Sequence, residues 1–140
     1  MSSKLIINTD GGARGNPGPA GIGAVIRGDD NKIIGEYKQY IGEATNNVAE
    51  YKALILALTE ASKLLNLEPS TLNLEIRMDS ELIVRQMQGR YKIKEPTLKL
   101  LAAEVLKLIK NFKSATFHHV PREQNKDADR LVNEAIDATI

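Results

Sequence analysis

Four carboxylates stand where a purely structural acid would be out of place. Asp10 closes the apolar run Leu5-Ile6-Ile7-Asn8-Thr9, and Gly11-Gly12 and a Gly/Pro-rich stretch to Gly21 follow it. Asp79 closes a second run, in which Leu72, Leu74, Ile76 and Met78 alternate. Glu50 and Asp129 fall in the first turns of two helical patterns. Glu50 lies in line with Leu54, Ala57 and Ala61, and Asp129 lies near Val132 and Ile136. Brought together in a low-dielectric site, four like charges would repel strongly, so protons or cations must neutralise them. The chain has no Cys and two His, which leaves oxygen donors and hence a hard cation such as Mg²⁺ or Mn²⁺. Four carboxylates suit two such ions about 3.5–4 Å apart, the arrangement for in-line displacement at phosphorus.

Each acid also has an ordinary structural reading. Asn47-Val48-Ala49-Glu50 fits a capping box, with Asn47 as N-cap and Glu50 three residues on. Asp79 or Ser80 could cap the helix that follows. Asp129 could be a half-exposed helix residue, although it is too deep to cap a helix that starts at Asn125. His118 and His119 lie inside a strand pattern, where a packed or surface histidine is the simpler reading.

The elements that must position these acids can be read from periodicity. Strands are expected at Lys4–Thr9, Gly21–Arg27 and Lys32–Gly42, joined by short turns as an antiparallel meander. A helical period follows from Asn47 to about Leu67, carried by Val48, Tyr51, Leu54, Ile55, Leu58, Ala61 and Leu65. A fourth strand runs from Leu72 to Asp79, and a short helix, Glu81–Gln88, is stopped by Gly89. Glu95-Pro96 opens a longer helix with Leu98, Leu101, Ala102, Val105, Leu106 and Ile109 on its apolar side. Ala115–Val120 is a fifth strand, Pro121–Gln124 a loop, and Asn125–Asp137 a last helix. The order βββαβααβα implies one α/β domain over residues 1–140. Its sheet would be mixed and five-stranded, three antiparallel strands with parallel additions, flanked by helices. Such sheets place ligands at the ends of their parallel strands.

Composition narrows the class. The chain is 42% hydrophobic and 26% charged, which is globular rather than disordered. No apolar run approaches the roughly 18 residues of a membrane span, and the first apolar run is too short for a signal peptide. A cytoplasmic, monomeric protein with no membrane partner is the default expectation. The net charge of +1 is unevenly spread. Residues 85–113 hold eight Lys/Arg (Arg85, Arg90, Lys92, Lys94, Lys99, Lys107, Lys110, Lys113) against two acids. That segment is either a solvated helix face or a phosphate-contacting surface.

Taken in order, the motifs resemble type 1 ribonuclease H. Thr9-Asp10-Gly11-Gly12 with Gly15-Asn16-Pro17-Gly18-Pro19 is similar to its first motif, and Thr45-Asn46-Asn47-Val48-Ala49-Glu50 to its second. Asp79-Ser80 is similar to the third, and Asn125-Lys126-Asp127-Ala128-Asp129-Arg130-Leu131 to the fourth. The resemblance spans essentially the whole chain. It implies a ribonuclease H-like fold and an endoribonuclease that hydrolyses the RNA strand of RNA–DNA hybrids by two-metal-ion catalysis, leaving 5′-phosphates. Asp10, Glu50, Asp79 and Asp129 would be the metal-binding catalytic carboxylates. Asn16 and Asn47 would touch the RNA strand near its 2′-hydroxyls, and Thr45 a DNA-strand phosphate. Gly11, Gly12 and Ser80 would border the substrate, the glycines by letting its backbone approach. Double-stranded RNA is a further candidate substrate.

Three departures stand out. The loop before the last helix has no histidine, and Arg122 is the cation available in its place. The segment from Gln88 to Leu98 is short and lacks the extra basic helix that some members use to grip the hybrid, for which Arg90, Lys92 and Lys94 could partly substitute. Glu81 follows Asp79-Ser80 where bacterial relatives commonly have an amide. The pattern is that of short, archaeal-like members. A catalytically weak nucleic-acid-binding module on the same fold is the alternative, and a polynucleotide transferase or exonuclease with a similar acidic core is a third.

Overall fold

The computed structural model describes residues 3–64 and 67–139. Alternation and helical period produce the expected sequence of elements: β1 (Ser3–Ala13), β2 (Gly18–Arg27), β3 (Ile33–Ala44), α1 (Asn46–Ala61), β4 (Leu72–Met78), α2 (Glu81–Met87), α3 (Pro96–Ile109), β5 (Ser114–His119) and α4 (Lys126–Asp137). Single 3₁₀ turns, Pro69–Thr71 and Arg122–Gln124, precede β4 and α4. The five strands form one sheet in the order β3-β2-β1-β4-β5. β1 pairs antiparallel with β2 and parallel with β4, and β5 adds parallel to β4. β1 is therefore the central strand.

The two faces of the sheet are filled differently. On one face Leu5 and Ile7 of β1 and the alternating Leu72, Leu74, Ile76 and Met78 of β4 pack on Tyr51, Leu54 and Leu58 of α1. Ile83 and Val84 of α2 and Leu98, Ala102 and Val105 of α3 complete that core. Each such buried Leu, Ile, Val or Met side chain contributes on the order of 1.5–3 kcal/mol. On the other face α4 lies directly on β2. A Cβ at Gly21 or Gly23 would press on the Val132 or Ala128 carbonyl, so glycine there sets how closely the helix approaches.

Several expected boundaries shift, for long-range reasons. β1 does not stop at Thr9 but continues through Asp10, Gly11 and Gly12 to Ala13. β2 supplies the partners, with Asp10 opposite Gly23, Gly11 opposite Ile22 and Gly12 opposite Gly21. β2 accordingly begins at Gly18 rather than Gly21. On its other side β1 loses its partner early, because the parallel register with β4 ends at Asn8↔Arg77. Asp10 thus lies just past the end of the parallel pair, inside the strand. Helix α1 ends at Ala61, short of the expected Leu67, and Leu65 lies outside the described residues. Leu106, expected on the apolar side of α3, is 49% exposed and borders an open groove with Met87 and with Ala115 and Phe117 of β5.

Candidate active site

The cap of α1 decides the role of Glu50. Thr45, not Asn47, is the N-cap, and its Oγ1 accepts from the Val48 amide at 3.2 Å. Glu50 therefore has no capping duty. It is buried at 5% exposure, and its Oε1 accepts from the Gly11 amide of β1 at 2.6 Å. The same amide donates to Asp10 Oδ1 at 3.0 Å. This convergence requires α1 to touch β1, and a Cβ on Gly11 would overlap the Ala49 carbonyl. Gly11 thus lets the helix approach the strand, whereas a Cβ on Gly12 would meet only ordinary contacts.

Asp79 follows the last residue of β4, and Ser80 takes the N-cap of α2, accepting from the Ile83 amide at 3.4 Å. Asp79 is left free of that task. Asp10, Glu50 and Asp79 each present a carboxylate oxygen, all within 4.8 Å of one another. Asp129, in the first turn of α4, borders the same cleft without joining this closest trio. The cleft has a volume of about 380 Å³, and Gly11, Gly12, Ser80 and Arg122 also line it. Arg122 stands at its rim, with a side chain 78% exposed and Nη2 3.8 Å from Asp129 Oδ1.

Burial and mutual repulsion dominate the electrostatics. Burial, with the Asp79 and Asp129 charges adding to it, pushes Asp10 up from 3.8 to about 7. Glu50 is held well above the ordinary glutamate value by burial first, then by Asp10 and Asp79, despite the Gly11 amide. Carboxyls so crowded hold protons unless a cation takes their place. A set made only of carboxylate oxygens, open to solvent on one side, fits a hard divalent ion that keeps some of its water.

The remaining expected site residues divide between two places. Asn16, Thr45 and Asn47 line a neighbouring groove with Glu95, Thr97 and Leu98, next to the carboxylate cleft but separate from it. Asn16 Oδ1 accepts from the Asn46 amide, and Asn46 Oδ1 accepts from the Ala13 amide, so the β1–β2 loop is tied to the start of α1. His118 and His119 are exposed on β5, and His118 Nε2 lies 2.8 Å from Thr116 Oγ1. Arg90, Tyr91, Lys92 and Lys94 form an exposed stretch between α2 and α3. Periodicity missed the polar residues behind the cleft. Asn8 and Asn125 are both buried and hydrogen-bonded to each other. An asparagine inside the apolar run of β1 was the available signal. Arg14 was also missed, and it reaches across the cleft to Asn133 and Asp137 of α4.

A central strand flanked by an antiparallel pair and parallel additions, with acids gathered where the parallel pair ends, defines a ribonuclease H-like fold. A family model described as "Reverse transcriptase-like" matches residues 8–135. Larger proteins contain close relatives of this chain. The bifunctional protein Rv2228c of Mycobacterium tuberculosis is 48% identical over 136 residues, 96% of this chain but 36% of that protein. The chain thus spans about a third of the length of these mycobacterial relatives. Among solved structures, LC11 ribonuclease H1 in complex with RNA/DNA hybrid superposes with a TM-score of 0.87 at 54% identity, covering 96% of this chain and 98% of that one. Ribonuclease H1 of the halophilic archaeon Halobacterium salinarum gives 0.88 at 39% identity, covering 96% and 98%. The chain belongs to the reverse transcriptase-like family and, within that resemblance, groups with type 1 ribonucleases H of archaeal-like form.

Proposed function

We propose that this chain is a metal-dependent endoribonuclease that hydrolyses the RNA strand of RNA–DNA hybrids and leaves 5′-phosphate products. The observation that carries this reading is the trio Asp10, Glu50 and Asp79, whose oxygens lie within 4.8 Å of one another in an open cleft at the end of the parallel strand pair. The hybrid bound in the LC11 relative supports the same substrate here. Two divalent ions, Mg²⁺ or Mn²⁺, would supply neutralisation of phosphate charge and a bound water of lowered pKa.

The chain's own residues supply the rest. Asp10, Glu50, Asp79 and Asp129 would hold the ions, with Asp10 central because Glu50, Asp79 and Asp129 all act on it. Arg122 places an exposed guanidinium at the rim, where it would face the charge of the departing phosphate. Thr45 uses its hydroxyl oxygen to cap α1, which leaves its proton for a DNA-strand phosphate. Asn16 uses its Oδ1 internally, which leaves Nδ2 to meet a 2′-hydroxyl, with Asn47 beside it in the groove. Gly11, Gly12 and Ser80 border the cleft under the scissile strand. Contacts of this kind read sugar and backbone, so cleavage should be sequence-tolerant and depend on the 2′-hydroxyl. The protein acts as a monomer in this reading.

The test is a labelled RNA–DNA hybrid incubated with and without Mg²⁺ or Mn²⁺. Internal, metal-dependent cuts in the RNA strand support the reading. Cuts only from an end would instead indicate an exonuclease. Salt-sensitive hybrid binding without turnover would indicate a binding module that uses the exposed Arg90–Lys94 surface. A double-stranded RNA arm decides the wider substrate range.

A further inference from the structure

Asn125 occupies the N-cap of α4, where an asparagine side chain ordinarily accepts from the helix's own first amides. It makes no such bond. Both ends of its carboxamide turn inward instead, and the residue is 1% exposed. Nδ2 donates to the Thr9 carbonyl at 2.9 Å and to Asp79 Oδ1 at 3.4 Å. Oδ1 accepts from Asn8 Nδ2 at 3.0 Å.

The sheet explains why an amide is needed there. β1 and β4 are paired only as far as Asn8↔Arg77. Asp10 and Asp79 lie past the last rung, where the ladder no longer fixes the spacing of the two strands. Asn125 bridges that gap. One side chain joins the β1 residue next to Asp10, the Asp79 carboxylate and the start of α4. The Asn125 carbonyl in turn accepts the Asp129 amide at 3.1 Å, which ties in the fourth acid.

The direction of the amide is also set. The Arg27 guanidinium can only donate, and its Nη1 reaches Asn8 Oδ1 at 3.4 Å while Nη2 pairs with Asp127 at 2.6 Å. Asn8 must therefore turn Nδ2 towards Asn125 Oδ1, which leaves Asn125 Nδ2 facing Thr9 and Asp79. We infer that Asn125 is a positioning residue that holds Asp10, Asp79 and Asp129 at cation-binding spacing, oriented through Asn8 by Arg27. The inference rests on the proposed metal-dependent function.

The experiment compares Mn²⁺ binding by calorimetry without substrate, and kcat and KM on the hybrid, in wild type, Asn125→Ala, Asn125→Asp and Arg27→Met. Asn125→Asp is isosteric but sets an acceptor against Thr9 O and Asp79. Both Asn125 variants should bind Mn²⁺ about 10–100-fold more weakly and lose kcat to a similar degree, with KM within about threefold. Arg27→Met should show a smaller loss of the same kind. Leu72→Ala, a core truncation at the opposite end of β4, should lower Tm without changing Mn²⁺ affinity. The inference is overturned if folded Asn125→Ala keeps Mn²⁺ affinity and kcat within twofold, or if Leu72→Ala weakens Mn²⁺ equally. Should both Asn125 variants fail to fold, unchanged Mn²⁺ affinity in Arg27→Met overturns it. A wild type that binds Mn²⁺ but cleaves no hybrid refutes the functional reading alone, and calorimetry still decides the role of Asn125. A wild type that binds no Mn²⁺ refutes both.

Discussion

Replacing Asp10 with asparagine should remove hydrolysis and at the same time make the metal-free protein more stable. Asp10 is pushed from 3.8 to about 7 by burial and by its acidic neighbours. A rise of that size corresponds to about 2–4 kcal/mol. The sign follows from linkage. Between the unfolded and folded values the native state binds more protons, so the stability from this group is complete below about pH 4 and is lost as pH rises through about 7. In EDTA near pH 8 the wild type has lost it, whereas Asp10→Asn has no charge to bury. The Tm of the variant should then exceed that of wild type by roughly 6–15 °C, a margin that narrows near pH 5. Saturating Mn²⁺ should shrink or reverse the margin, because only the intact site gains binding free energy. Differential scanning calorimetry across pH, with and without EDTA, measures all of this. A variant no more stable than wild type at pH 8, or one that still cleaves the hybrid, would refute the account of the cluster.

Other perturbations separate packing from chemistry. Gly11→Ala should destabilise by about 1–3 kcal/mol or more, because its Cβ overlaps the Ala49 carbonyl, while Gly12→Ala should be tolerated; urea unfolding distinguishes them. Thr45→Ala should cost about 1 kcal/mol through loss of the α1 cap, and Thr45→Ser should restore most of it, as read by Tm. Arg122→Ala should leave Tm within about 1–2 °C, since its ion pair with Asp129 is exposed, and should lower kcat on the hybrid; unchanged kcat would remove Arg122 from the mechanism.

Much of this molecule was legible in one dimension. The alternation of Leu72, Leu74, Ile76 and Met78, and the stripe that places Glu50 with Leu54, Ala57 and Ala61, are local patterns, and both are buried as their periods require. The order of elements and the mixed sheet followed from them. Local patterns also pointed to Asp10 and Asp79, because a charge closing an apolar run is visible without knowing its neighbours. What they could not report was register. Whether β1 stops at Thr9 or runs on to Ala13 depends on where β2 returns and where β4 leaves, and both are set by pairings far away in the chain. That Glu50 serves the site and not a capping box shows only in its bond from the Gly11 amide, 39 residues away. Asn125 is the N-cap of α4 by position, yet its side chain bonds Asn8, 117 residues away. The sequence by itself determined which acids would be delivered and on which kinds of element. Only the tertiary structure decided their spacing, because spacing is set by hydrogen bonds and close contacts between elements, such as Gly11 against Ala49, that leave no periodic trace in the chain.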